Sequence, residues 1–178
     1  MAGGFRPVQD ISGGAYTGKV QTFHVAASHA TLLAVGDLVR ITGTANTDGM
    51  AQVDAAAAAG LITGPIVAID FNPSNLESKG LAISTAGTVK VATDPMILLE
   101  AITSTTVAVT DVGGNAEIVA TEATASGGLV NSNMKVNTGT VIAGTAQIRI
   151  EGLKDGGTAS GSTVYCRINE STTNTVGI

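Results

Sequence analysis

Residues 145–153 read Thr-Ala-Gln-Ile-Arg-Ile-Glu-Gly-Leu, and residues 162–169 read Ser-Thr-Val-Tyr-Cys-Arg-Ile-Asn. Successive side chains of a strand point to opposite faces, so strict alternation marks a half-buried strand. The first stretch sets Ala146, Ile148 and Ile150 against Gln147, Arg149 and Glu151. The second sets Val164, Cys166 and Ile168 against Tyr165 and Arg167. Between them, Lys154-Asp155-Gly156-Gly157 is a flexible connection. These two strands decide the class, and the rest of the chain is read outward from them.

Upstream, the same short-strand grammar repeats. Met96 to Ile102 is an almost wholly apolar run bounded by turn signals, as expected of a strand buried on both faces. Glu100 interrupts it, and either reaches the rim or pairs with a cation such as Arg149 or Arg40. Leu81–Ser84 and Thr88–Ala92 read as a hairpin across Ala86-Gly87. Leu61–Phe71 reads as a strand broken by Gly64-Pro65, hence an edge or bulged strand, because proline cannot donate to a ladder. Asn72 to Asn75 is a loop, and residues 123–139 are a long polar excursion. Asp37–Thr42 is a strand entered through Val35-Gly36-Asp37. Asn46-Thr47-Asp48-Gly49 follows as a hairpin turn. Asp54 ahead of five alanines and Gly60 has the composition of a short capped helix. Val20–Ala26 alternates around Phe23 and Val25.

The expected fold is therefore all-β with at most two short helices: a small barrel, sandwich or β-tulip-like domain. Residues 20–178 form the single β-rich domain. Its core is expected from Val39, Ile41, Ile66, Val67, Ile69, Val89, Val91, Ile97, Leu98, Ile148, Ile150, Val164 and Ile168. Residues 1–19 hold five glycines and no periodic pattern, and read as an extended N-terminal arm, either a frayed terminus or one that docks on a partner. Phe5, Val8, Ile11 and Tyr16 are spaced along it as anchors for a partner surface.

Composition narrows the function. The 178 residues carry a net charge of −5, 13% charged and 44% hydrophobic residues, and 3% aromatics. Typical domains are about 25% charged, so this surface is either covered in large part by other subunits or is a Thr/Ser/Gly-rich exposed one. Few aromatics and scattered basic residues argue against nucleic acid as a partner. No apolar run reaches the ~20 residues of a membrane span. A single cysteine excludes an internal disulfide.

No GxSxG elbow, GxGxxG, P-loop or HExxH is present. His24 and His29 stand five apart, a spacing that suits ligands on neither a helix nor a strand face. Cys166 lies in a strand pattern as a small hydrophobe. The aspartates sit mostly at turns, where they bond local backbone. No catalytic, metal or cofactor site is expected, and the chain does not read as an enzyme.

Several stretches occur together in a familiar order. Val35-Gly36-Asp37-Leu38-Val39 precedes the apolar run 59–69. Phe71-Asn72-Pro73-Ser74-Asn75-Leu76, Ser84-Thr85 and Val91-Ala92-Thr93-Asp94-Pro95 come next. Thr110-Asp111-Val112-Gly113-Gly114-Asn115-Ala116, Gln147-Ile148-Arg149-Ile150 and Ile168-Asn169-Glu170 follow. This order resembles a family of small head-associated structural proteins of tailed bacteriophages. Residues 54–92 also resemble the β-rich core of phage capsid decoration (cement) proteins. The resemblance implies a virion protein, made in the host bacterial cytoplasm, on the outside of the capsid. Its partners would be the major capsid protein and further copies of itself, as a homotrimer or a dimer. It brings no catalytic residues. The alternatives are a head-fibre, head-completion or tail protein, or a virion-associated cell-wall hydrolase using His24 or His29.

Overall fold

A computed structural model describes residues 3–70 and 79–172. The chain is all-β: among the described residues the only helical elements are two three-residue 3-10 turns, Val109–Asp111 and Lys154–Gly156. In chain order the strands are β1 Arg6–Asp10, β2 Val20–Val25, β3 Leu38–Ala45, β4 Ala51–Ala55, β5 Gly64–Ile69, β6 Gly87–Ala92 and β7 Ile97–Ile102. They continue with β8 Asn115–Ala116, β9 Ile118–Val119, β10 Thr124–Ser126, β11 Leu129–Asn131, β12 Lys135–Val136, β13 Ile148–Leu153 and β14 Thr163–Ile168.

Strands β2 to β6 close a barrel in the order β2-β4-β3-β5-β6. The Asn46–Gly49 turn forms as expected. Asn46 Oδ1 accepts from the N–H groups of Asp48 and Met50, and Gly49 takes a positive φ of 78°. That turn returns the chain along β3, pairing Val39 with Ala55 and Ile41 with Val53. The expected helix after Asp54 is therefore absent. Ala55 already belongs to β4, and the remaining alanines make a turn in which Ala59 has φ 58°. Five alanines cannot offset the cost of helix nucleation when a sheet register competes for their backbone.

Strand β5 carries the expected bulge, between Ile66 and Ala68, but it is not an edge. Pro65 sits at its start opposite Leu38, where a missing donor is tolerated. The 81–84 hairpin also does not form. Strand β6 pairs with β2 and β5 instead, and Leu81 bridges to Leu33. The loop expected at 72–75 lies outside the described residues.

The second lobe is a five-stranded antiparallel sheet in the order β1-β7-β14-β13-β8. Both alternating strands of the C-terminal part are present, β13 against β14, with Ile148 opposite Ile168 and Ile150 opposite Cys166. The run at 97–101 is buried residue by residue, as expected of β7. Small antiparallel pairs β9–β12 and β10–β11 complete the lobe.

The two lobes share one core. Leu38 and Ala92 of the barrel, with Ile62 just ahead of β5, pack in the same cluster as Leu99, Ile148, Ile150 and Val164 of the sheet, while Phe23, Val25, Val53 and Val91 fill the barrel. Ten of the thirteen expected core positions are buried, and Ile41, Val67 and Ile69 pack half-buried on the clusters. Gln147, expected to face solvent, is buried. Its Nε2 donates to the carbonyls of Ala57 and Gly60, and its Oε1 accepts from Ile118 N–H. One satisfied amide thus ties the 57–60 turn to the sheet.

Candidate functional surface

The N-terminal segment is the first surprise. Residues 3–19 are not an appendage in the structure. Gly4 N–H donates to Met134 O and Phe5 N–H to Gly36 O, and β1 then pairs along β7 as the edge strand of the sheet. The segment threads a seam too narrow for side chains: a Cβ on Gly3 or Gly4 would run into Ser132, and Gly36 has φ 95°. The glycines that suggest disorder in the sequence instead permit close backbone approach. Phe5 follows them and is 1% exposed, inside the shared core. It cannot serve as an outward anchor while the segment is seated.

Glu100 is buried on β7, directly across from Arg6. Its Oε2 accepts from Arg6 Nη2 at 2.6 Å and its Oε1 from Lys154 Nζ at 2.5 Å. The cations expected from the sequence, Arg149 and Arg40, are elsewhere; Arg149 and Arg167 both lie against Glu151. Burial pushes the Glu100 carboxyl up, but the hydrogen bonds from Lys154 and Arg6 outweigh it and hold it below the usual range. The pair of cations thus fastens β1 and the 154–156 turn to one buried carboxylate.

The four candidate contact residues are distributed along this segment. Val8 falls at a β1 bulge between Pro7 and Gln9 and is half-buried. Ile11 is half-buried and its N–H donates to Met96 O. Tyr16 packs partly on the core, with Phe5, Arg6, Val35, Ile66 and Val67, around a groove of about 450 Å³. Phe5 and Tyr16 therefore meet at one groove, while Val8 and Ile11 do not. Val35 on its rim is half exposed.

Other apolar side chains stand at the surface without a periodic signal to announce them. Val109 is 70% exposed on the first 3-10 turn; Val112 and Ile142 lie close by, since Asn115 and Ile142 exchange both backbone hydrogen bonds. Leu129 is half exposed at the tip of the β10–β11 ribbon.

The chemistry-bearing side chains do not converge. His24 lies on β2 and His29 in the loop after it, buried between backbone carbonyls. Cys166 is buried on β14, and burial pushes its thiol up. Among the described residues no three His, Cys, Asp or Glu side chains are grouped to hold a metal ion, and no helix is long and apolar enough to cross a membrane. Asp37 is buried at the 34–37 turn, its Oδ2 accepting from Ala34 N–H at 2.7 Å. Burial pushes its carboxyl up to about 6, against opposing hydrogen bonds from Ser132 and Ala34.

Comparison of the chain with protein-family models, with curated proteins and with solved structures finds no match in any of the three.

Proposed function

We propose that this chain is a structural virion protein of a tailed bacteriophage: a capsid decoration protein that binds the outside of the head and clamps neighbouring major capsid subunits. The observation that carries the reading is the surface itself. A chain with 13% charged residues exposes large apolar side chains at several separate places, among them Val35, Leu61, Ile83, Val109 and Leu129. Isolated exposed apolar residues are ordinary. Their spread over a charge-poor surface suits a protein whose work is contact with more than one neighbour.

The fold supports the same reading. Two β lobes with a shared core make a rigid body, and a clamp needs rigidity to transmit load between the subunits it joins. Assembly as a homotrimer would multiply weak single contacts into firm attachment without any one strong site. No cofactor or bond-breaking step enters this mechanism; the binding free energy at each junction adds to that of the shell.

A cryo-EM map of the virion whose genome encodes this chain tests the proposal. Copies repeating over the whole outer shell support it. A single vertex, a tail location or absence from the particle overturns it. Light scattering of the purified chain checks the trimer independently.

A further inference from the structure

His29 has an environment that the contact-surface reading does not use. Its ring is 4% exposed. Nδ1 lies 2.8 Å from Thr31 O and Nε2 lies 3.0 Å from Thr85 O. Both neighbours are backbone carbonyls, which only accept. A neutral imidazole has one N–H and satisfies one of them; the imidazolium has two and satisfies both.

The carbonyls belong to different segments. Thr31 is in the loop after β2. Thr85 is in residues 79–86, a strap that holds no strand or helix, bridges to Leu33 through Leu81 and leads into β6. The strap sets Leu81 into the barrel core, 5% exposed, beside Leu33 and Val89. Two hydrogen bonds between Leu33 and Leu81 hold its first half, and Ser84 N–H donates to His29 O at 3.2 Å. The His29 ring thus has hydrogen-bond contacts to both segments.

We propose that His29 is a proton-operated latch on this strap. With a proton on each nitrogen the ring ties residues 79–86 to the loop after β2. Loss of one proton leaves one carbonyl unsatisfied beside a ring nitrogen that also accepts, and the strap loosens around Thr85. No covalent step is involved; one proton moves between the ring and solvent.

Few other ionisable groups face the ring. Asp54 on β4 lines the same cavity, with Thr42 and Thr44 of β3. Arg40 is opposite Asp54 across the strand pair and exposed, His24 is half-buried on β2, and Lys79 is exposed at the start of the strap. Asp54 is the carboxylate that shares this cavity with the ring, so it is the control.

Amide hydrogen exchange, corrected for intrinsic rates, reads the strap through the N–H groups of Leu81 and Ser84. Protection of Ser84 is expected to rise at least about tenfold on going from about pH 8 to about pH 5.5, the loss or gain of one hydrogen bond to a charged donor. His29→Gln should abolish the dependence and Asp54→Asn should retain it. Ring nitrogen NMR of the unaltered protein gives a second readout that needs no variant: at the low pH both Nδ1 and Nε2 should carry slowly exchanging protons. Protection independent of pH in the unaltered protein, dependence that survives His29→Gln or disappears in Asp54→Asn, or a single N–H at low pH would each overturn the proposal.

Discussion

Substituting Phe5→Ala separates a seated strand from a loose arm. Phe5 is 1% exposed and its neighbours belong to the core shared by both lobes. Truncating a buried phenylalanine typically costs about 3–5 kcal/mol, part from lost transfer energy and part from the cavity left behind. The cavity here is hard to collapse, because the preceding Gly3-Gly4 backbone is wedged against Ser132 and the following residue is tethered to Glu100. The upper half of the range is therefore expected. Removing residues 1–10 should cost more still, since it also strips the edge of β7 and leaves Glu100 with Lys154 alone. The chain has no tryptophan, so urea unfolding is best followed by far-ultraviolet circular dichroism. Ile11→Ala is the control, half-buried outside the seam, with an expected cost under about 1.5 kcal/mol. A Phe5→Ala midpoint matching the unaltered protein would show that the segment contributes nothing to the fold and refute its assignment to the sheet.

Three further substitutions probe the polar and backbone constraints. Glu100→Gln should lose about 1–3 kcal/mol at neutral pH. Because the folded carboxyl titrates below its usual range, its stabilisation is present above the unfolded pKa and fades as pH falls through the folded one, so the gap measured by denaturation should close in acid. Asp37 works with the opposite sign. A folded pKa of about 6 means its contribution is fully present below the unfolded value and lost as pH rises through 6. Asp37→Asn should therefore gain on the unaltered protein by up to ~3 kcal/mol between acid and neutral pH, a roughly two-unit shift at ~1.4 kcal/mol each; identical pH profiles would contradict this. Gly64→Ala places a Cβ onto the Ala92 carbonyl oxygen, backbone against backbone, where β5 meets β6. It should unseat the barrel closure at a cost of about 3 kcal/mol or more, visible as a lowered Tm.

What could be read in the residues, and what could not, divides along sequence distance. Strands β13 and β14 were legible because side-chain alternation is a local property, and so was the turn at Asn46–Gly49. The partner of Glu100 was not. Arg6 is 94 residues away and Lys154 is 54 away, so nothing near the run at 97–102 names either. The N-terminal strand was hidden for a second reason. Its bulge at Val8 breaks what little alternation five residues can carry, and its glycines have the composition of a disordered tail. Only the placement of Phe5 directly behind Gly3-Gly4 hinted at a buried landing point. The alanine run misled in the opposite direction, because a local helix signal lost to a register set by the preceding hairpin. Nothing in the spacing of Phe5, Val8, Ile11 and Tyr16 announced that Phe5 and Tyr16 line one groove, and the exposed Val109 and Leu129 lie in turns that carry no periodicity at all.

The path of the chain through its two lobes bears on how the protein is made. Strand β1 is synthesised ahead of all the others, yet its ladder partner among the described residues is β7, and the strand that flanks β7 on its other side, β14, is the last of the described strands to be made. The barrel in between closes entirely from strands 20–92. During synthesis the barrel can therefore be complete while β1 still waits with an empty edge and Phe5 in water. Long-range pairings of this kind are slow to form. Strand β1 is made before its partner and docks late, so the nascent chain passes through an interval in which an unpaired strand and the Phe5 side chain beside it are available to any open sheet edge, including that of a neighbouring copy.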